Sequence, residues 1–79
     1  MWIRDIDGDW INMDRAECIH ISHNCSDHRF RGHTVVEVEI NGNLYTIWCC
    51  MRIGNDIDSV TAAAEAFIDS LMLKFDRNI

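Results

Sequence analysis

Six side chains able to ligate soft metals or act as nucleophile and base crowd into sixteen residues: Cys18, His20, His23, Cys25, His28 and His33. Cys49 and Cys50 follow downstream. Zinc takes four nitrogen or sulfur ligands in a tetrahedron. One candidate set lies in a loop (His23, Cys25, His28, His33). A second would use an outer sheet face, where Cys18 and His20 approach Cys50. Neither contains the Cys-x2-Cys pairing of a structural zinc site, and only His28-x4-His33 has a zinc-like spacing. Free thiols and solvated loop histidines are therefore the favoured reading, and no cofactor is expected. Cys25 beside His23 or His28 also has the residue types of an activated thiol. No Gly-rich turn leading into a helix accompanies it, and a chain this small has room only for a shallow cleft, so no catalytic residue is assigned. Asp5 to Asp9, DIDGD, resembles an oxygen-ligand calcium loop in its opening. The sixth and twelfth places, which need Gly and Glu, are Trp10 and Ala16, so the segment reads as a turn.

The elements that position these residues are organised around Thr34 to Met51, two apolar-rich runs joined by Asn41-Gly42. Asn-Gly is the strongest short hairpin signal, because a type I′ turn needs φ > 0 at both central residues. A regular hairpin sets Ile40 opposite Asn43, Val38 opposite Tyr45, Val36 opposite Ile47 and Thr34 opposite Cys49. These pairs, with Met51, form the expected core face. The other face carries Glu39 with Leu44, Glu37 with Thr46, Val35 with Trp48, and then Cys50. It is polar near the turn and apolar at the far end.

Upstream, Trp2–Ile6 and Trp10–Met13 read as short strands around the Asp7-Gly8 turn. Glu17–Ser22 alternates as a third, either separate or continuous with the second through a bend at Asp14-Arg15. His23–His33 is the longest loop, polar and aperiodic, with Arg29 and Arg31 as a basic spot. Downstream, Asp58 or Ser59 is the expected N-cap of a helix running to about Arg77. Val60, Ala64, Phe67, Ile68, Leu71 and Phe75 make its apolar stripe, with Glu65, Asp69 and Asp76 opposite and Leu73 on the polar side. The expected fold is α+β: one antiparallel sheet of four to five strands in a single domain over residues 1–79, with one C-terminal helix packed on one face.

Thirteen acidic residues against seven basic give a formal net charge of −6. Direct nucleic-acid binding, driven by Lys and Arg displacing counterions from phosphate, is disfavoured. A basic protein partner fits the charge. The N-terminus lacks the apolar region and cleavage site of a secretory leader, and no apolar run reaches membrane-spanning length. The expectation is a cytoplasmic protein with reduced thiols.

Trp2-Ile3, then Trp10-Ile11-Asn12-Met13-Asp14, Ala16 and Ile19, resemble the opening of many very small bacterial and phage proteins. In those, a Trp-led strand, a hydrophobic-Asn-hydrophobic-Asp turn, an Asn-Gly or Asp-Gly hairpin and one terminal helix follow in this order. The resemblance spans nearly the whole chain, implies a β-meander with a helix, and brings no active site. The cysteines and the histidine-rich loop depart from it. In size, acidity and lack of catalytic residues the chain is also similar in type, with no shared motif, to phage-encoded anti-CRISPR and other anti-defence proteins.

Together these readings point to a non-enzymatic protein-binding protein, an inhibitor of a host nucleic-acid-binding complex. The partner surface is expected to use Val35 and Trp48 as an apolar cluster, Glu37 and Glu39 beside it, and Glu65, Asp69 and Leu73 on the helix, with Asp5, Asp7 and Asp9 adding negative potential. The alternatives are a metal-binding or thiol-based regulatory domain built on the Cys/His loop, and a homodimer formed through the Trp48 patch.

Overall fold

The computed structural model describes residues 1–23, 28–54 and 56–77, the last three of these as backbone. Five strands and one helix occur in the order β1 (Trp2–Arg4), β2 (Trp10–Asn12), β3 (Cys18–Ser22), β4 (His33–Ile40), β5 (Asn43–Met51) and α1 (Ile57–Arg77). The fold is α+β and antiparallel throughout, with the helix on one face. The strands form two sheets rather than one: β1-β2, and β3-β4-β5. A 3-10 turn, Met13–Arg15, separates β2 from β3, so the two are not one bent strand. Asn12 holds this turn by accepting a hydrogen bond from the Asp14 amide at 3.1 Å, while Met13 is pulled into the core.

The central hairpin has the expected turn, with φ of 52° at Asn41 and 79° at Gly42. Ile40↔Asn43 and Val38↔Tyr45 pair as the sequence predicts. Between Glu37 and Val36 the register shifts, and Val36 pairs with Trp48, Val35 with Cys49 and Thr34 with Cys50. One extra residue on β5, a β-bulge at Ile47, reverses the facing of everything after it. Trp48 therefore turns toward the helix, not the outer face, and stacks on Phe67 with centroids 6.1 Å apart. Cys49 becomes exposed, whereas the regular register would have buried it.

The core between helix and sheets is built from Ile11, Met13, Val36, Val38, Ile47, Ala64 and Leu71, with Phe67 and Ile68 packed against it. The helix stripe is as the spacing predicts. Phe75's side chain lies outside the described residues. The N-cap is Asp56, not Asp58 or Ser59: its Oδ1 accepts the Ser59 amide at 3.1 Å.

The outer face of β4 is covered. Val35 is 0% and Glu37 7% exposed. A second 3-10 turn, His28–Phe30, lies against β4 with Phe30 buried. Arg29 ties this turn to the N-terminal segment through a forked contact to Asp7, 2.6 and 3.4 Å. At the mouth of the loop, Arg52 Nη1 donates to the His23 carbonyl (2.7 Å), the His33 carbonyl (2.8 Å) and Thr34 Oγ1 (3.3 Å). The two sheets meet where the Ile6 amide donates to the Thr46 carbonyl, 3.0 Å.

Candidate functional site

Several side chains singled out in the sequence are used inside the fold. The Val35–Trp48–Cys50 patch does not exist as a surface: Val35 is buried, and the bulge sends Trp48 to the helix. Glu37, expected to face a partner, is buried beside His20, with His20 Nδ1 3.8 Å from its Oε1. Glu39, half-exposed, accepts the Cys18 thiol at 3.4 Å. That hydrogen bond, with slight desolvation and the nearby Glu39 and Glu17 charges, raises the Cys18 pKa above the ordinary thiol value. Cys18 is consequently a poor nucleophile at neutral pH.

Of the four loop residues considered for a metal, His23, His28 and His33 are among the described residues. His23 Nδ1 lies 2.8 Å from Thr34 Oγ1, and its Nε2 lies 3.3 Å from Thr61 Oγ1, so both ring nitrogens are engaged. His33 Nδ1 meets the Arg31 carbonyl at 3.1 Å, and His28 is exposed on the 3-10 turn. Cys25 lies outside the described residues. Among the described residues, no three His, Cys, Asp or Glu side chains converge to hold a metal. The Asp5–Asp9 segment is a self-contained turn: Asp5 Oδ1 accepts the Asp7 and Asp9 amides, each at 2.9 Å.

Glu65, Asp69 and Leu73 are exposed on α1 as expected, Leu73 at 58%. The same helix borders a feature the sequence did not reveal. Between the C-terminal half of α1 and the segment leading into β3 runs an open groove of about 460 Å3. Met13 and Leu71 form its buried base, while Met1, Ile19, Ile68 and Met72 supply the apolar walls. Asp14, Glu17 and Cys18 edge it on the strand side. Across the groove, Glu65 precedes Met72 by seven residues, about 20° from it around the helix axis at roughly 100° per residue. Asp69 stands about 60° from Met72 on the same side. Among the described residues no Lys or Arg lines the groove, and Lys74 is set about 160° around the helix from Met72. Asp14 is paired with the Met1 ammonium at 2.9 Å. Glu17 Oε1 accepts the Asn41 amide at 2.9 Å.

A second surface was also missed. Trp2 and Trp10 are 62% and 63% exposed on the outer face of the β1-β2 hairpin, with Arg4 over the Trp10 ring at 5.6 Å. Ile3 and Ile11 take the inner face against the core. The clue was present: W-I-R and W-I-N alternate, so burying the isoleucines must expose the tryptophans. Among the described residues, no helix is long and apolar enough to cross a membrane.

No protein-family model, curated protein or solved structure matches this chain.

Proposed function

We propose that this chain is a non-enzymatic protein-binding protein that docks a basic partner along the methionine-lined groove and the acidic flank of α1. The observation that carries the reading is the groove itself: an open, largely apolar trough edged by Asp14 and Glu17, with Glu65 and Asp69 exposed on the helix that borders it. Apolar contacts supply affinity at such a surface, while the surrounding charge selects and steers the partner. The net charge of −6 adds long-range attraction for a basic surface. A basic surface of this kind is what nucleic-acid-handling complexes present, and Glu65, Asp69, Glu17 and Glu39 would stand there in place of phosphates. Inhibition of such a complex, in the manner of anti-CRISPR proteins, is the function that follows.

The test is capture from nuclease-treated bacterial lysate containing CRISPR effectors, using the native chain and the Glu65→Lys/Asp69→Lys variant. Near-stoichiometric recovery of a basic nucleic-acid-handling complex by the native chain alone is the expected result. Recovery of no such complex, or equal recovery by both baits, refutes the proposal. The exposed Trp2–Trp10 pair favours a second reading, a homodimeric module joined through the β1-β2 hairpin. Sedimentation decides it: a native dimer that becomes a monomer on Trp2→Ser/Trp10→Ser substitution supports that reading, and a native monomer removes it.

A further inference from the structure

We infer that two copies of this chain join through β3, strand to strand and antiparallel across a two-fold axis at His20, so that the larger sheet runs on from one copy into the other. This interface differs from the β1-β2 dimer considered above and does not depend on a foreign partner.

β3 is the outermost strand of its sheet. Among the described residues, no backbone hydrogen bond ties Cys18–Ser22 to anything but β4. Which groups are left over follows from the central hairpin. In its type I′ turn Asn43 donates to the Ile40 carbonyl, so Ile40 and every second residue before it turn their backbone groups toward β5. Glu39 and Glu37 then face β3 and bond Cys18 and His20, their partners in register. Ile19 and Ile21 are left with amide and carbonyl pointing away from the sheet. The same alternation sends the Thr46 carbonyl outward from β5, and there the Ile6 amide meets it at 3.0 Å. The β3 edge also lacks the sequence devices that keep a border strand single. Its register has no shift, and CIHIS contains no Pro, Lys or acid.

The strand fits its own reverse. Centred on His20, an antiparallel copy sets Ile19 against the partner's Ile21 and Cys18 against the partner's Ser22. Opposed residues share a face, so isoleucine meets isoleucine on the core side and small polar groups meet on the other. Ile19 and Ile21 exchange amide and carbonyl bonds with the partner, and every outward group is used. Charge agrees as well: the two His20 rings meet at the axis, each backed by its own buried Glu37 at 3.8 Å, and no like formal charges are opposed. A slide of two residues loses the match. Centring on Ile19 calls for the Glu17 amide, which the Glu39 carbonyl already holds at 2.9 Å. Centring on Ile21 opposes Ile19 to His23, whose ring is tied to Thr34 and Thr61. Any strand can form the backbone bonds; this match of side chains on both faces selects a second copy.

The test is amide exchange by NMR and sedimentation of the native chain across a concentration series. So short an interface falls well below the standard of about 1,600 Å2, so the series reaches about 1 mM. The expected result is a reversible dimer in which Ile19 and Ile21 exchange about tenfold more slowly at the top of the series than at high dilution, relative to the inward-facing His20 amide. His20→Lys, at a side chain 42% exposed, sets two cations face to face across the axis and should weaken the dimer about tenfold or more. His20→Cys tests the register: opposed residues of that pair type lie about 4.5 Å apart at Cα, within disulfide reach. Mild oxidation should give a covalent dimer linked at position 20 of both copies, mapped by mass spectrometry. Trp2→Ser/Trp10→Ser should leave the dimer intact. A monomer throughout the series overturns the inference, as do Ile19 and Ile21 exchange rates that ignore concentration. A dimer abolished by the tryptophan substitutions and indifferent to His20→Lys overturns it in favour of the β1-β2 interface. Capture of a basic complex is read separately, so the two readings fail independently.

Discussion

Truncating Trp48 tests the feature that sets the facing of the second half of β5. Because the bulge at Ile47 turns Trp48 onto Phe67, Trp48→Ala removes a half-buried indole and its stacking contact. Full burial would put the loss at about 3–5 kcal/mol. Half-burial reduces that to about 2–3 kcal/mol, a large share of the roughly 4–12 kcal/mol expected for a chain of this length. In urea, with a slope near 1 kcal/mol per molar for a small domain, the unfolding midpoint should fall by about 2–3 M. The double mutant with Phe67→Ala isolates the stacking: a coupling of about 0.5–1.5 kcal/mol is expected for an aromatic pair in contact. A regular hairpin would instead put Trp48 outside, where truncation costs about 0.5 kcal/mol or less and is additive with a change on the helix. A small loss with no coupling would refute the bulge.

Thiol labelling reads the same register chemically. Cys49 should alkylate faster than Cys50, by mass spectrometry of peptides after a short pulse, whereas the regular register predicts the reverse. Cys18, though exposed, should lag behind Cys49 at pH 8, because its hydrogen bond to Glu39 raises its pKa. Glu39→Gln should lower that pKa and accelerate labelling of Cys18 alone, and an unchanged rate would remove the carboxylate from the account. Arg52→Ala should destabilise by about 2–3 kcal/mol in urea, since three acceptors lose a charged donor. A loss below about 0.5 kcal/mol would mean that Arg52 does not clamp the loop.

Local signals made much of the fold legible. Asn41-Gly42 specifies its own turn, and the helix stripe from Val60 to Leu71 follows from spacing alone. The bulge was legible only as an anomaly. The outer face derived for a regular hairpin was polar near the turn and apolar beyond it, and that change of character falls at Ile47-Trp48, two adjacent apolar residues. Alternation cannot tell a patchy outer face from a register slip, because the slip is decided by what the helix and the first hairpin offer on each side. Asp56 was passed over as the cap for a similar reason: Asp58 and Ser59 have equal capping chemistry, and only the chain path from Ile53 selects among them.

The candidate site was the least legible part. Its walls come from the first residue, the 3-10 turn, the start of β3 and one flank of α1, so no sequence window contains it. Glu65, Asp69 and Leu73 were placed correctly on the solvent side, yet their relation to Met13 and Ile19 is wholly tertiary. The Val35 patch was misplaced by the same ignorance. The turn at Phe30 comes from a segment without periodicity, and nothing in its sequence shows that it folds down onto β4.

The hydrogen bond from Ile6 to Thr46 also bears on how the protein behaves in a crowd. β5 is a nine-residue border strand of the larger sheet, the sort of free edge on which a second chain can add and a ribbon can grow. Midway along it, the Ile6 amide takes a carbonyl that an incoming strand would need, and the bulge beside it breaks the flat run of donors and acceptors. The uninterrupted stretches left on either side are too short to template a stable cross-β ladder. One backbone contact and one surplus residue thus shorten the run of donors and acceptors that this edge offers to another strand.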